Sequence, residues 1–499
     1  MIRRYILTLS ILLLFTVLSK GQEKYDFTWV FSQNSSLTQG NEASILSFKN
    51  GKVSIDSINI DNQMGLNNSS FSNGLGDLVL YSNACEIYDS TYQVVENGSG
   101  INPGEVHDNW CDIGEYPANA NSLFLEDPNG LGVYFVHKNI VNTQFDVTRP
   151  DLMYSFVDKD DLEVSEKNIK IDSFRNKISG YMEAIRHDNG KDWWLVDFTV
   201  TQDSGLILKF LLDDSGFSLI EEEKYTNQSS LERECSSGGQ ACFSPDGTKY
   251  AKFCAYSGLD VFDFNRATCE FTNYRNITPS QITDQGVSGV AFSPNGRFVY
   301  VSDRVSLVQV DLETNDPTSV VERIDTYDNY LDPLPTSFAW MQIGPDCRIY
   351  MTSTNGIKSL HVINNPDEKG KDCDFVQRGL KLRSPNSVGS LPNHPVFRFD
   401  GEEVCDSTIT NVFDVPIEVT YDLEVFPNPT LDEITVNIPG NINKGILTIK
   451  SISGQQLYKQ EIKQTRQVDL SLDGYQNSVY VVELISNSQV FVGKIIKVD

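Results

Sequence analysis

Positively charged side chains are scarce in this sequence. Its 499 residues contain 40 Lys and Arg against 68 Asp and Glu, which gives a formal net charge of −28 at pH 7. A surface with this charge repels phosphate groups, and no basic cluster offsets it. We therefore expect neither nucleic acid nor anionic lipid as a partner. Acidic proteins attract cations or basic partners, but a soluble extracellular surface accounts for the same composition.

Patterns of catalytic or metal-binding residues are also missing. The five histidines show no metal-ligand spacing, and no C-x-x-C pair or Gly-x-Ser-x-Gly nucleophile motif occurs. The calcium-loop pattern D-x-[DN]-x-[DN]-G is absent as well. We therefore predict no metal site and no cofactor. A glycosidase-like pair of carboxylates stays open, because any two of the 68 acidic residues can converge in the fold.

Long hydrophobic runs are confined to the N-terminus. Arg3 and Arg4 precede an apolar stretch at 5–18 that ends in Ser-Lys-Gly. This order is typical of a secretory signal peptide, residues 1–21, with cleavage before Gln22. A retained anchor is the alternative, but the stretch is shorter than the roughly 20 residues that cross a bilayer. No later run is long enough, so we predict passage into the periplasm and no transmembrane segment after signal removal.

All nine cysteines lie beyond the predicted signal peptide, in a chain bound for an oxidising compartment. Their odd number leaves at least one of them unpaired. Disulfides or buried thiols are favoured over metal ligation, and spacing alone does not determine the pairing. We predict two bonds, Cys85 with Cys111 and Cys373 with Cys405, because each pair brackets one loop-and-strand unit.

A strand-turn-strand phrase recurs in the middle of the chain. Ala-Cys-Phe-Ser-Pro-Asp-Gly at 241–247 is followed by Val-Ala-Phe-Ser-Pro-Asn-Gly at 290–296 and Met-Gln-Ile-Gly-Pro-Asp-Cys at 341–347, at spacings of 49 and 51 residues. Pro, Asp or Asn, and Gly suit successive positions of a hairpin turn. Cys347 replaces the glycine of the third copy, so we expect a turn there that tolerates a side chain.

Weaker copies of this phrase occur upstream, near 74–81, 127–130 and 188–194. A period close to 50 residues, with β-type alternation and little amphipathic helix, is the signature of four-stranded propeller blades. One blade cannot bury its own faces, so the array must close into a ring. The sequence therefore predicts an all-β chain in which residues 22–405 form a β-propeller of seven, or of eight, blades.

The pattern changes after Cys405. Residues 406–422 carry little periodicity, which predicts a linker. Short alternating segments then fill 423–499 and predict a small C-terminal β-sandwich.

The C-terminal segment contains a set of short motifs: Val-Phe-Pro-Asn-Pro at 425–429, Ile-Ser-Gly-Gln at 452–455, Val-Asp-Leu-Ser at 468–471, Val-Tyr-Val-Val at 479–482 and Lys-Ile-Ile-Lys at 494–497. With this set the segment resembles a type A sorting domain of the type IX secretion system of Bacteroidetes. An Asn-Ser pair stands before the Tyr-Val strand where the family usually has Gly. The family implies recognition by an outer-membrane translocon, removal of the domain, and release or surface attachment. The sorting-signal residues are then Pro427, Asn428, Pro429, Gly454 and Lys494.

The body of the chain also contains characteristic stretches: Leu-Val-Leu-Tyr-Ser-Asn at 78–83, the segment 184–194, the three Pro-turn phrases, Leu-His-Val-Ile-Asn-Asn-Pro at 360–366, and Ser-Leu-Pro-Asn at 390–393. In these stretches it resembles secreted WD-repeat-like propellers of Bacteroidetes. This resemblance implies a fold but brings no catalytic residues with it.

Two segments supply candidate ligand-binding residues. One predicted loop gathers acids, a histidine and a tryptophan beside a cysteine, and it can hold a cation or stack a sugar, or can be a solvated loop held by that cysteine. A second histidine precedes a Trp-Trp pair in a predicted hairpin, where turn satisfaction and inter-blade packing explain the same residues. The candidates are Glu105, His107, Asp108, Trp110 and His187.

Three functional hypotheses follow. The first is a non-enzymatic propeller, secreted or attached to the outer surface, that binds a protein or glycan partner across one face of the ring. The second is a secreted hydrolase or lyase acting on polysaccharide or peptide in the central depression, which requires converging acids, or a histidine with acids, at the ring centre. The third is a scaffold component of the cell's own envelope or motility machinery.

Overall fold

In the computed structural model, the alternating apolar segments of the sequence form antiparallel β-sheets. The chain divides into two compact units, Met1–Asp414 and Val415–Asp499. The structure describes residues 24–32, 42–60, 64–113, 116–117, 120–142, 147–173, 180–200, 205–225, 238–284, 286–314, 321–332, 334–353, 357–382, 390–398, 405–406, 409, 421–439, 442, 444–451, 456–486 and 489–498. The predicted signal peptide and Gly454 lie outside these residues.

The first unit contains seven sheets arranged as propeller blades, counted over the described residues. Blade 1 contains β1 (Thr28–Phe31), β2 (Glu42–Ser47) and β3 (Ser54–Asn59), and blade 2 contains β4 (Ser69–Ser72), β5 (Leu78–Ser82), β6 (Glu86–Asp89) and β7 (Val94–Ser99). Blade 3 contains β8 (Ser122–Glu126), β9 (Gly132–Lys138), β12 (Leu152–Asp158) and β13 (Val164–Asp172). A separate small hairpin, β10 (Val141–Asn142) and β11 (Val147–Thr148), lies between β9 and β12 in the sequence. Blades 4 and 5 contain β14 (Glu183–Arg186), β15 (Trp193–Val200), β16 (Gly205–Asp213) and β17 (Gly216–Tyr225); β18 (Gln240–Phe243), β19 (Lys249–Cys254), β20 (Gly258–Asn265) and β21 (Glu270–Ile277). Blades 6 and 7 contain β22 (Gly289–Phe292), β23 (Phe298–Ser302), β24 (Ser306–Asp311) and β25 (Val321–Thr326); β26 (Met341–Ile343), β27 (Ile349–Met351), β28 (Ser359–Ile363) and β29 (Phe375–Lys381).

Within the described residues, helical structure is limited to short pieces in the connections between strands. The helix α1 (Glu105–Trp110) continues into a 3-10 turn, Cys111–Ile113, and a second 3-10 turn spans Gly370–Cys373. The prediction of an all-β propeller is confirmed, and the described residues contain seven blades rather than eight.

Antiparallel order gives the ring two distinct faces. In blades 2 to 7 the strands pair in sequence from the inner edge to the outer edge. Turns between the first and second, and between the third and fourth, strands therefore lie at one end of the ring, which we call the hairpin face. Turns between the second and third strands and the links between blades lie at the other end, the connection face. Which face holds a side chain thus follows from its position in the blade.

Apolar clusters between neighbouring blades hold the ring together. Inner strands contribute buried residues to both faces of their sheet, as in Tyr300 and Val301 of β23, which enter two different clusters. The contact between blade 7 and blade 1 closes the ring through Trp29, whose ring packs edge-on 5.6 Å from that of Tyr350. A large side chain buried in this way contributes about 2 to 3 kcal/mol.

Blade 1 brings together the first and the last described segments of the propeller sequence. The start of β1 bonds to the end of β4, through Thr28 N and Ser72 Oγ at 3.2 Å, while Ser32 beyond its end accepts from Gly65 N before β4 at 2.8 Å. Strand β1 therefore runs opposite to the inner strands of the other blades and occupies the second position of its own. Residues 390–398, here called the central segment, lie inside it.

The three hairpin turns anticipated by the repeated phrase share one conformation. Residue four of each turn donates its N–H to the carbonyl of residue one and has a left-handed backbone, with φ of 68° at Gly247, 70° at Gly296 and 66° at Cys347. The expectation of a more tolerant turn at Cys347 is wrong. The cysteine adopts the glycine conformation, and its bond to Cys405 fixes it there.

This conformation predicts a stability ordering. In a Cys405→Ser background, the Cys347→Gly variant is expected to have a higher urea midpoint than the Cys347→Ala variant. Its free energy of unfolding should be larger by about 1 kcal/mol, because a left-handed backbone costs a Cβ-bearing residue roughly that much. Gly296→Ala, whose added Cβ meets nothing closer than 3.7 Å, should lose a similar amount. Equal midpoints for the Gly and Ala variants would contradict the assignment.

One of the two predicted disulfides is present and the other is not. Cys85 is bonded to Cys111, with their Cα atoms 5.6 Å apart. The Cys373–Cys405 prediction is wrong, because Cys405 bonds Cys347, with Cα atoms 5.3 Å apart, and Cys373 is a buried free thiol. The central segment brings Cys405 to the hairpin face beside the blade 7 turn, where Asp406 N also donates to Pro345 O. Cys373 lies instead between blades 6 and 7.

The second unit is a two-sheet β-structure with its own apolar core. Its strands are β30 (Tyr421–Asp422), β31 (Val425–Phe426), β32 (Glu433–Asn437), β33 (Lys444–Ser451), β34 (Gln456–Lys463), β35 (Gln467–Ser471), β36 (Val479–Ser486) and β37 (Gln489–Ile496). Because β30 pairs in parallel with β37, this unit includes Tyr421 and Asp422, which the sequence assigned to the linker.

The Pro-Asn-Pro motif connects the start of this unit to its last strand. Asn428 Oδ1 accepts from Ile496 N at 2.9 Å, and its amide nitrogen donates to Lys494 O at 2.6 Å. Pro427 and Pro429 on either side both follow cis peptide bonds. The predicted sorting residues 427–429 and 494 thus lie together at one edge of the unit.

Candidate partner-binding face

Exposed apolar side chains of the propeller concentrate on the connection face. Outside the peripheral strands, the described residues place six large apolar side chains with substantial exposure there, against Leu75 and Leu131 on the hairpin face. The six are Trp110, Val141, Tyr256, Val305, Tyr330 and Leu331. Interfaces are enriched in aromatic side chains, so this face is the candidate binding surface.

The predicted acidic loop is the part of this face between blades 2 and 3. Its residues form α1, in which Val106 is buried while Glu105 and Asp108 are exposed and the Trp110 side chain is 38% exposed. His107 Nδ1 lies 3.3 Å from Asp108 Oδ1. The following cysteine is bonded to the blade 2 turn, so the helix is fixed to the ring. No group of three or more His, Cys, Asp or Glu in the described part of the chain has metal-site geometry.

His187 lies on the opposite face. It is the first residue of the blade 4 hairpin turn, where its carbonyl accepts from Gly190 N at 2.9 Å and its Nδ1 accepts from Asn189 N at 3.0 Å. Its ring centroid is 5.2 Å from that of Trp194. The structure therefore does not bring His187 together with the four candidates of the acidic loop.

The most exposed part of the connection face was not identified from the sequence. It is the link from blade 6 to blade 7, residues 327–332, here called the Tyr330 loop. Tyr330 is 48% exposed and Leu331 is 59% exposed. An aromatic and an aliphatic residue within an Asp-, Asn- and Pro-rich segment were the available signal, since such a segment predicts a surface loop.

Hydrogen bonds hold the Tyr330 loop in one shape. The Tyr330 carbonyl accepts from Tyr327 Oη at 2.6 Å and from Thr336 N at 3.0 Å. The Arg378 guanidinium lies 4.5 Å from the Tyr330 ring centroid and donates to Asp328 Oδ1 at 3.1 Å. Burial raises the pKa of Asp328, but hydrogen bonds from Arg378 and the Tyr330 amide outweigh it and hold that pKa below its usual value. The loop is therefore pre-organised, which lowers the entropic cost of binding.

Neighbouring turns of blade 6 extend this surface. Val305 O accepts from Tyr327 N at 2.8 Å, so the exposed Val305 belongs to the same bonded structure. Arg304 is paired in a bidentate manner with Asp284, at 2.9 and 2.7 Å. The guanidinium groups of Arg304 and Arg378 are both paired with a carboxylate, which leaves a surface suited to apolar contact at its centre and polar contact at its rim.

The central segment contacts the inner edges of blades 2 and 4. Asn68 donates to Ser390 Oγ at 2.8 Å, Asn393 donates to Met182 O at 3.2 Å, and Val396 forms a parallel bridge with Ile185. Gln240 spans blades 5 to 7 by donating to Met341 O at 2.6 Å. The contacts of the central segment thus come from blades 2 and 4, while Gln240 joins the inner edges of blades 5 and 7.

A depression at the hairpin end of the centre contains one carboxylate among its described lining residues. Asp26 forms an ion pair with Arg398, and burial raises its pKa. Burial and the nearby Arg398 lower the pKa of His394 to about 3, so the imidazole is neutral. A carboxylate paired with a guanidinium is not the two-carboxylate arrangement of glycoside hydrolysis.

Comparison with known proteins identifies the C-terminal unit. Residues 424–498 match the family of secretion system C-terminal sorting domains. A type IX sorting tail implies secretion or export to the outer surface. No helix in the described part of the chain is long and apolar enough to cross a bilayer. No curated protein matches the chain.

Several solved structures are similar to this chain. A functionally unknown protein from Desulfotomaculum acetoxidans has 13% identity and a TM-score of 0.43, with 74% of this chain and 99% of that chain covered. The dihydro-heme d1 dehydrogenase NirN has 10% identity and a TM-score of 0.37, covering 90% and 76%. The extracellular domain of a putative hybrid two-component system from B. thetaiotaomicron has 10% identity and a TM-score of 0.32, covering 94% and 69%.

Proposed function

We propose that this protein is a secreted or surface-attached, non-enzymatic β-propeller that binds a protein partner through its connection face. In this account the N-terminal 21 residues direct it to the periplasm, and the C-terminal unit is recognised by the type IX outer-membrane translocon. The observation that carries the proposal is the exposed, pre-organised Tyr330 loop.

The chemistry of the Tyr330 loop favours a protein over a glycan. Tyr330 is an aromatic side chain supported by Arg378, and aromatic and Arg residues dominate the energetics of protein interfaces. The aliphatic Leu331 and Val305 beside it give further apolar area. A glycan is the second ligand class, and exposed Trp110 is the side chain suited to it.

The residues that line the ring centre favour binding over central catalysis. A hydrolase or lyase at the centre needs open space and converging acids. The central segment lines the depression there, and the one carboxylate among the described lining residues is paired with Arg398. Release of product from polysaccharide or peptide substrates by the purified chain would overturn this part of the proposal.

Tyr330→Ala is expected to weaken partner binding by about 30-fold, the effect of losing an interface residue worth about 2 kcal/mol. The measurement is a pull-down with the mature full chain from envelope and secreted fractions, followed by titration of the captured protein. Leu75→Ser on the hairpin face is the matched control, because it also removes an exposed apolar side chain.

The same purified chain should be tested on a glycan array beside a Trp110→Ala variant. Loss of partner affinity in Tyr330→Ala but not in Leu75→Ser supports the proposal. Equal partner affinity of the native chain, the Tyr330→Ala variant and the Leu75→Ser variant would contradict it. Glycan binding that depends on Trp110, with no protein captured, would contradict it as well.

A further inference from the structure

A second binding site lies on the hairpin face, away from the proposed partner surface. It is a cleft of about 220 Å³ between blades 2 and 3, here called the inter-blade cleft. Its walls are apolar, with Phe71, Val79 and Leu80 on one side and Val133 and Val157 on the other. An apolar cavity of roughly 150 Å³ accommodates benzene, so this cleft is large enough for a ring-sized group.

The floor of the inter-blade cleft is rigid. The Tyr25 ring stacks on Phe71, with centroids 5.1 Å apart and planes 13° apart, and its hydroxyl donates to Glu126 Oε1 at 2.9 Å. Glu126 also meets Arg186 at 3.4 Å. The inner carboxylate is therefore already satisfied, and the interior offers apolar contact.

The rim of the cleft carries exposed apolar side chains. Leu75, in the turn containing Gly74, is 77% exposed, and Leu131, between the lining residues Gly130 and Gly132, is 65% exposed. These are the highest exposures among the large apolar side chains that the structure describes. Because each is a sequence neighbour of a lining residue, they add exposed apolar area beside the cleft, which favours an apolar ligand.

Opposite charges stand side by side at the mouth. Asp158 and Lys159 both line the cleft, and neither side chain has an ion-pair or hydrogen-bond partner among the described residues. Their bonds are made by the backbone: Lys159 N donates to Leu131 O at 3.0 Å, and Asp158 N donates to Glu163 O at 2.9 Å. A ligand with an ammonium and a carboxylate on adjacent atoms satisfies both groups at once.

We propose that the inter-blade cleft binds a hydrophobic α-amino acid. Its side chain fills the apolar interior, its ammonium group pairs with Asp158, and its carboxylate pairs with Lys159. The site lies away from the connection face, so the test of this site does not depend on the proposed function.

Titration calorimetry on the mature full chain with L-phenylalanine, phenethylamine and 3-phenylpropionate tests this site. L-Phenylalanine should bind about tenfold more tightly than either analogue, because each analogue lacks one charge-assisted contact. Asp158→Asn should weaken phenylalanine and phenethylamine but leave phenylpropionate unchanged, and Lys159→Met should give the converse.

Two further variants complete the test. Asp160→Asn changes an exposed acid in the same turn that does not line the cleft, and should bind like the native protein. Val133→Phe fills the cleft and should abolish all binding, with thermal unfolding confirming that the ring is folded. Absence of phenylalanine binding at millimolar concentration, or equal weakening of both analogues by Asp158→Asn, would overturn the proposal.

Discussion

Removal of residues 421–499 is expected to abolish export, leaving the propeller in the periplasm. The deletion begins at Tyr421 rather than 423 because β30 pairs with β37 and so belongs to the C-terminal unit, here called the sorting unit. Since the propeller has its own core and its own closure between blades 7 and 1, it should stay folded after the deletion. Fractionation of culture medium, outer membrane and periplasm, with protease resistance as the test of folding, measures the result.

A matched variant separates sorting from folding. Tyr330→Ala alters the propeller surface without touching the sorting unit and should be exported like the native protein. Undiminished appearance of the truncated chain outside the cell would contradict the role assigned to the C-terminal unit. Loss of export in the Tyr330→Ala variant would show that the propeller itself takes part in sorting.

Acid is expected to destabilise the propeller steeply. Burial lowers the pKa of His137, His361 and His394 to about 3 each. The unfolded chain has histidine pKa values near about 6.5, so below that pH it binds protons that the folded chain excludes. The contribution of these histidines to the free energy of unfolding is therefore complete above about pH 6.5 and decreases toward pH 3. The decrease is up to about 4 kcal/mol per pH unit for three histidines.

Buried acids act in the opposite direction. Burial raises the pKa of Asp26 and, more strongly, of Glu183, so the folded chain takes up these protons more readily than the unfolded chain. They offset part of the histidine effect, and the total slope is a difference between the two groups. A single-residue comparison isolates the histidine contribution.

His137→Gln should make the slope of unfolding free energy against pH shallower by about 1.4 kcal/mol per unit between pH 6 and 4. The matched control is Ser155→Ala, which removes a group 3.2 Å from His137 Nε2 but keeps the imidazole. It should lower stability equally at every pH. Urea unfolding at several pH values measures both, and parallel slopes for His137→Gln and the native chain would contradict the buried neutral state.

Local chemistry explains why much of the fold is predictable. The hairpin turns depend on Pro, Asp or Asn, and Gly at adjacent positions, and these turns lie where the phrase predicts them. Short apolar runs predict strands such as β23, in which every residue is buried because the strand packs against blades on both sides. The sorting unit is recognisable from its Pro-Asn-Pro motif, which the structure places against the last strand.

Features set by long-range contacts were not predictable. The central segment has no strand periodicity of its own, and its position depends on Asn68, Met182 and Ile185 in blades distant in sequence. That position in turn brings Cys405 to Cys347 instead of Cys373. The Tyr330 loop carries no motif. Its exposure results from where the link between blades 6 and 7 crosses the connection face, and the local sequence does not determine that position.

Site-specific photo-crosslinking in intact cultures tests the central claim, binding through the connection face, most directly. A photoreactive residue is placed at Tyr330 or Tyr256 on the connection face, or at Leu75 on the hairpin face. Mass spectrometry then identifies the crosslinked protein. We predict one shared adduct from both connection-face positions and none of that protein from position 75. Capture of the same protein from position 75 alone, or equally from all three positions, would contradict the account.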